Sequence, residues 1–265
     1  MVCTECCVTF LHPLPQDLSV YYAGGYHVIP RSLDELRPIA EGDRYKLQLV
    51  HGFASRGHLL EIGPGVGGFA HLAKEAGFTV DAVEMDEECC RFLNQVVGIR
   101  AIHSSDPRTA MTRSATYDAI TLWHVIEHLP DPWGVIEAAA SCLQPGGILV
   151  IATPNPESLQ FQLFTKYWTH LDAPRHLQLI PSGALVKRAN ESGLTVALLT
   201  CTDAGGLGWN RFGWQGSFRN LLRALLPGGV TQLMGRAASR LARPVERRAM
   251  RGSTYTVVLS RGATP

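Results

Sequence analysis

The rhythm of apolar and polar positions changes at residue 58. His58-Leu-Leu-Glu-Ile62 is a short apolar run closed by Gly63-Pro-Gly-Val-Gly-Gly68, which predicts a buried strand entering a tight turn. Residues 69–76 then predict a helix ended by Gly77, residues 78–84 a second strand, and residues 86–97 a second helix. The same alternation predicts strands over 99–103, 117–122, 148–153, 194–200 and 255–260, with helices over 132–143 and 181–192. Strands alternating with helices in this way argue for a parallel, doubly wound α/β sheet. Upstream the pattern is mixed: a Cys-rich start, the stretch His12-Pro-Leu-Pro15, and a polar helical segment near 32–52. Between the last two strands, Phe218, Leu221, Leu222 and Leu225, and then Leu233, Met234, Ala237 and Leu241, follow helical spacing. The organisation expected is an N-terminal cap segment over 1–54 and one domain over 55–265, with insertions at about 155–180 and 204–252.

Composition narrows the class. Hydrophobic residues make up 46% and charged residues 18% of 265 positions, which fits a soluble globular chain with a sizeable core. No run of 18 apolar residues occurs, so no transmembrane helix is expected, and the first residues carry no pattern of an export signal. The seven Cys are scattered, which argues against a disulfide framework and for a reducing cytoplasm. Cys3-x-x-Cys6 has the spacing of half a zinc ribbon, but no second pair accompanies it, and even with His12 as a third ligand no zinc is expected. The net charge of +1 hides an asymmetry: residues 211–251 hold nine Arg, no Lys and the single acid Glu246, about +8, against about −7 elsewhere. Three readings of that segment stand open: a helical cap with a solvated Arg face, a handle for an acidic or carrier-linked substrate, and contact with an anionic membrane surface. No nucleic-acid module is present, so no nucleic-acid partner is expected.

The glycine turn carries the first chemistry. A strand feeding a glycine turn at a helix N-terminus offers free backbone N–H groups and a positive helix end. Gly63-x-Gly65-x-x-Gly68 satisfies a dinucleotide fingerprint, and Glu84 stands sixteen residues beyond Gly68, near the distance of a ribose-binding acid. A nicotinamide cofactor and S-adenosylmethionine are both admissible on this motif. Glu61, two residues before the first glycine, favours the second, because a carboxylate attracts a sulfonium and an ammonium and repels a pyrophosphate. Ser104-Ser-Asp106 adds a carboxylate after the third strand, where it can accept from an adenine amino group.

The stretch Tyr117-Asp-Ala-Ile-Thr-Leu-Trp-His-Val-Ile-Glu-His-Leu-Pro-Asp-Pro132, followed by Leu143-Gln-Pro-Gly-Gly147, completes a pattern over roughly residues 55–202. It resembles the Rossmann-like class I methyltransferases that use S-adenosylmethionine, in particular the group similar to the ubiquinone-pathway O-methyltransferases. The resemblance implies a seven-stranded, mostly parallel sheet with a reversed last strand. It implies that Glu61, Gly63, Gly65 and Gly67 surround the methionine portion of the cofactor. It places the ribose hydroxyls on Glu84, Met85 near the adenine, Asp106 at the adenine amino group, and Trp123 and His124 beside the methionine. Asp86 rivals Glu84 for the ribose, and Glu84 is preferred as the residue at the strand's end.

Methyl transfer from an activated donor mainly requires alignment and exclusion of water, and a hydroxyl acceptor also benefits from a base near neutral pKa. His124, His128, His170 and His176 are the candidates, His176 foremost, with Trp168 beside it on the acceptor side, because their segment follows the fifth strand's carboxyl end. In the ubiquinone-pathway group an acid-x-x-Glu-His arrangement is associated with a divalent metal. Here His124 stands where the first acid would be, ahead of Glu127 and His128. A set of His124, Glu127 and His128 remains conceivable as a facial metal site. The expectation is nevertheless no metal, with Glu127 and His128 bracing the loop and activity surviving chelation. The function expected is O-methylation of a small molecule such as a sugar, polyketide or phenol. N- or C-methylation, a nicotinamide enzyme and a non-catalytic cofactor-binding protein are the alternatives.

Overall fold

A computed structural model describes residues 1–15, 19–21, 27–111, 116–262. Nine strands and nine α-helices are found among the described residues. In chain order they are β1 (Thr9–Phe10), α1 (Leu33–His51), β2 (Gly57–Ile62), α2 (Gly68–Glu75), β3 (Phe78–Glu84), α3 (Glu87–Phe92), β4 (Arg100–His103), α4 (Pro107–Ala110), β5 (Tyr117–Trp123) and α5 (Pro132–Cys142). They continue as β6 (Leu143–Pro154), α6 (Leu159–Phe164), β7 (Gln178–Leu179), α7 (Ser182–Glu191), β8 (Leu194–Thr200), α8 (Ala204–Leu222), α9 (Gly228–Arg248) and β9 (Thr254–Arg261). Among the described residues, no helix is long and apolar enough to cross a membrane.

Seven strands form one sheet in the order β4-β3-β2-β5-β6-β9-β8. All run parallel except β9, which returns between β6 and β8 antiparallel to both, the reversed last strand that the resemblance implied. Residues of β2 alternate between the two faces, and both faces are covered, so the strand reads as nearly continuous apolar sequence. Leu59 faces a core with Leu36 of α1, Phe69 of α2 and Val150, whereas Leu60 faces one with Ile136 of α5 and Leu185 of α7. Fully burying such a side chain stabilises by roughly 1.5–3 kcal/mol. Helix α1 starts at Ser32, whose side chain accepts from Glu35 N, and Leu36, Ala40, Leu47 and Val50 form its buried face.

The structure departs from the expected elements in three places. The helix expected over 86–97 is α-helical only to Phe92 and continues as a π-turn over Leu93–Val97. There the Asn94 amide donates to Cys90 O and Ala101 O and accepts from Ala101 N, tying the turn to the sheet edge. The strand expected over 148–153 extends from Leu143 to Pro154 through the Pro-Gly-Gly turn. The N-terminal segment pairs with the chain between β6 and α7: β1 and β7 form a separate antiparallel ribbon, Thr9 opposite Leu179.

Helices α8 and α9 lie between β8 and β9 and pack closely along one another. A Cβ on Gly235 would lie 2.5 Å from Gln215 Cα, so that position of α9 has no room for a larger residue. The pair is pinned to the sheet by Glu246, the one acid of the Arg-rich segment. Its carboxylate accepts from Asn210 Nδ2 and, at 2.8 Å, from Trp214 Nε1. Asn210 Oδ1 in turn accepts from Gln160 Nε2 and from Ser253 N, each at 2.8 Å. Glu246→Ala leaves two buried donors without an acceptor and is expected to destabilise by about 2–4 kcal/mol. Urea unfolding of wild type and variant measures this, and equal midpoints would show that the network contributes nothing.

Candidate functional site

The carboxyl ends of β2, β3, β5 and β6 converge on one side of the sheet, the end at which open α/β sheets bind ligands. Gly63, Gly65 and Gly67 all have positive φ, at 67°, 56° and 80°, which explains why glycine occupies each position. A Cβ on Gly63 would lie 2.5 Å from Val125 Cγ2, and one on Gly65 would lie 2.8 Å from the His27 ring. The turn is therefore a cradle whose contours depend on missing side chains.

Glu84, buried at the end of β3, holds this turn in place. Its Oε2 accepts from Gly65 N at 2.9 Å, and its Oε1 accepts from Met85 N at 2.7 Å and Asp86 N at 2.9 Å. Asp86 has other work: its Oδ1 caps α3 by accepting from Glu88 N and Cys89 N at 2.8 and 3.0 Å. The two acids are thus separated in role, with Asp86 a helix cap and Glu84 the residue at the turn. Met85 is half-exposed at the rim. Asp106 caps α4 through Arg108 N, with its second oxygen 3.9 Å from Arg108 Nη2.

Glu61 is buried beneath the turn, and its Oε2 has no hydrogen-bond partner among the described residues. Burial pushes its pKa up to about 8, the Lys46 ammonium pulling the other way and Asp43 and Glu84 adding to the rise. Trp123 is buried nearby at the end of β5, its Nε1 without a hydrogen-bond partner among the described residues. Its ring meets Phe69 and Tyr45 edge-on at 5.6 and 6.4 Å, and Lys46 Nζ lies 5.6 Å from its centroid. Tyr45, Lys46 and Asp43 all come from α1.

A second cluster gathers the histidines. His124 has φ of 58°, a strained value for a residue with a side chain, and its N–H is held by Ala152 O at 2.8 Å. Its ring turns to Trp209 of α8, centroids 4.7 Å apart, while Nδ1 lies 3.7 Å from Glu127 Oε1. Glu127 is fully buried and accepts from Thr153 Oγ1 at 3.0 Å. Burial alone would raise its pKa, but His124, His128 and His176 together bring it down to about 2, so it is anionic. His128 Nδ1 and His176 Nδ1 lie 3.0 and 2.8 Å from the main-chain oxygens of Arg175 and His170, and the two rings are 4.6 Å apart. Burial lowers the His128 pKa against the opposing pull of Glu127.

One ligand atom from each of Glu127, His128 and His176 lies within 4.8 Å of the others. The three-residue set is therefore completed by His176 and not by His124, because His124 is drawn towards Trp209. With each Nδ1 engaged by the main chain, this carboxylate and two imidazoles suit a divalent cation of the kind the family resemblance implied. Two acceptor-side expectations change. His170 is buried with its pKa pushed down to about 3, chiefly by burial, and is too weak a base for the reaction at neutral pH. Trp168 sits in a satellite core with Phe164, Leu179 and Trp214. The aromatic surface beside His124 is supplied by Trp209 and Phe212, centroids 5.7 Å apart. Their spacing of three on a helix was a visible signal, but nothing in the sequence joined that helix to His124.

The family description "Methyltransferase domain" matches residues 38–199, more than half of the chain, and the chain belongs to that family. It is 26% identical over 168 residues to the ubiquinone biosynthesis O-methyltransferase of Colwellia psychrerythraea, covering 57% of this chain and 64% of that protein. It is 32% identical over 114 residues to the enzyme of the same name from Xanthomonas campestris pv. campestris, covering 40% and 46%. The matched stretch thus spans less than two thirds of these relatives. A SAM dependent methyltransferase from Archaeoglobus fulgidus shares the fold with TM-score 0.57 and 19% identity, covering 83% of this chain and 94% of that one. So does geranyl diphosphate C-methyltransferase from Streptomyces coelicolor A3(2), with TM-score 0.54, 13% identity and coverage of 83% and 79%. The cofactor of this family is S-adenosylmethionine, and the residues fit it: a glycine cradle, a carboxylate behind it, and a buried acid with an unpartnered oxygen.

Glu61 makes a pH prediction. Its folded pKa of about 8 exceeds the ordinary 4.5, so the native state holds a proton that the unfolded chain releases. The stability this contributes is fully present below about pH 4.5 and is lost as pH rises towards 8. Relative to Glu61→Gln, wild type should lose stability by a few kcal/mol between pH 5 and pH 8, at about 1.4 kcal/mol per pKa unit. Denaturant titrations of both proteins at the two pH values measure the gap, and a constant gap rules out the shifted carboxyl.

Proposed function

We propose that the chain transfers the methyl group of S-adenosylmethionine to an oxygen of a small molecule, with His176 as the base that takes the acceptor's proton. The observation that carries this reading is the adjacency of two sites at one end of the sheet. Glu61, the glycine turn and Glu84 form a pocket for a cation-bearing ligand, and Glu127, His128 and His176 form a proton-accepting cluster. Gly63, Gly65 and Gly67 would line the methionine portion, with Trp123 and His124 beside it. Glu84 would take the ribose hydroxyls, Met85 would cover the adenine, and Asp106 would accept from its amino group.

The protein's contribution is alignment, dryness and a place for one proton. As the acceptor's oxygen takes the methyl carbon and the carbon–sulfur bond breaks, the hydroxyl proton moves to His176. The anionic Glu127 beside the cluster stabilises the imidazolium that results. His128, its ring 4.6 Å from that of His176, braces the base from the side. A divalent cation on Glu127, His128 and His176 would instead polarise the acceptor oxygen, the role that a chelation experiment separates from proton transfer. The segment 1–54 and the insertions at 155–180 and 204–252 would close over the acceptor, a reading supported by Tyr45 of α1 and Trp209 of α8 at the site. The Arg-rich insertion favours an acceptor with an acidic or carrier-linked group. The seven cysteines are scattered along the chain, which supports a reducing, cytoplasmic setting.

S-adenosylhomocysteine should raise the melting temperature in proportion to ln(1 + [L]/Kd). Glu84→Ala should weaken that binding by ~1–3 kcal/mol, the loss for hydrogen bonds to a charged acceptor. Unchanged affinity would remove Glu84 from the site and return the ribose to Asp86.

His176→Ala should lower kcat by ~10²–10⁴-fold while leaving cofactor affinity nearly unchanged, since the cofactor residues lie in other loops. Turnover should survive exhaustive chelation. Wild-type turnover in His176→Ala, with turnover lost and cofactor affinity kept in His128→Ala, would move the base to His128. Loss on chelation, restored by Mg, Mn or Zn, would assign the three residues to a metal.

A further inference from the structure

Helix α9 presents three stripes where a core helix presents two. Thr231, Gly235 and Glu246 face inward, with Ala238 and Ala242 part-buried beside them. Arg236, Arg240, Arg243 and Arg247, spaced by four, three and four, form an exposed basic stripe. Val230, Leu233, Ala237, Leu241 and Val245, spaced by three and then four, form an exposed apolar stripe. Leu233 and Leu241 are 68% and 80% exposed, values that no packing requirement of this fold explains. The turn before α9 continues the feature with Leu225, 77% exposed.

The charge of this surface is not neutralised from within. Among its nine Arg the segment 211–251 has one acid, Glu246, and that carboxylate is buried and accepts from Asn210 and Trp214. Arg211, Arg240 and Arg243 also line a cleft of about 380 Å³ between α8 and α9, wide enough for a phosphate headgroup.

We propose that α9 docks along an anionic bilayer surface, its Leu233–Leu241 stripe in the acyl boundary and its Arg stripe and cleft on lipid phosphates. Apolar and basic stripes side by side are what an interfacial helix needs. A nucleic-acid backbone would use the arginines and leave the leucines in water, and an acidic protein offers no reason for the stripe to be so regular. The site side of the hairpin carries Trp209 against His124, so docking brings the acceptor pocket close to the lipid surface. The proposal does not depend on which atom is methylated.

The test is flotation of the full chain with vesicles of phosphatidylcholine alone and with about a third phosphatidylglycerol. Wild type should float with the anionic vesicles, much less with the neutral ones, and less as salt rises. The triple variant Arg236→Gln, Arg240→Gln, Arg243→Gln should lose on the order of a hundredfold in partitioning, about fivefold for each arginine. Leu233→Glu with Leu241→Glu should also lose binding of the anionic vesicles while retaining circular dichroism and melting behaviour, since both side chains are exposed. Three outcomes would overturn the proposal: no flotation of wild type, unchanged flotation of either variant, or tight RNA or polyglutamate binding without vesicle binding.

Discussion

A carboxyl group buried at the end of β2, with one oxygen that no described residue satisfies, is the constraint around which the rest of the site is arranged. Isolated in this way, Glu61 is held in its neutral form, and an unpaired buried charge would be far costlier. Its surroundings are a compromise. Lys46 approaches from α1 but is paired with Asp43 at 2.7 Å and lies over Trp123, so its charge reaches Glu61 only in part. The glycine turn that lies over the space above Glu61 is held by main-chain geometry and by Glu84. A ligand that brings a positive charge to that space supplies what the folded chain lacks.

Three buried acids at this end of the sheet show how environment sets the state of one functional group. Glu61 is pushed towards neutrality by burial. Glu127, equally buried, is held anionic by three imidazoles and a threonine hydroxyl. Glu84 is satisfied by three main-chain N–H groups and so serves as a rigid strut between β3 and the turn. On the proposed function, the protonated Glu61 meets the ligand's cation, and the anionic Glu127 stabilises the proton that His176 takes.

The parallel sheet was legible because β2, β3, β5 and β6 are covered on both faces and read as largely apolar runs, whereas the edge strand β4, Arg-Ala-Ile-His, is partly exposed. Residues 78–84 and 194–200 coincide with β3 and β8. The glycine motif was legible for the same local reason, since Gly63, Gly65 and Gly67 each need positive φ. What stayed hidden was long-range. Tyr45 and Lys46 reach the site from a helix that reads as polar, and only its packing on α2 brings them over Trp123. His124, four residues before His128, looked like its partner across a helical turn. That segment is not an α-helix, and His176 from the insertion takes the place instead. Trp209 lies more than eighty residues from His124, and no local pattern links them. The β1–β7 ribbon was unreadable because two-residue strands carry no periodicity.

On the proposed function Glu61 holds a proton until a ligand cation displaces it, and calorimetry measures this directly. S-adenosylhomocysteine should be titrated at pH 7 in phosphate and in Tris, whose ionisation heats differ widely. Wild type is predicted to release close to one proton per ligand bound, because its amino group converts a carboxyl of pKa about 8 into a paired carboxylate. Glu61→Gln is predicted to release none and to bind more weakly. Tight binding by wild type with the same heat in both buffers would contradict the account, since Glu61 would then be ionised already or remote from the ligand.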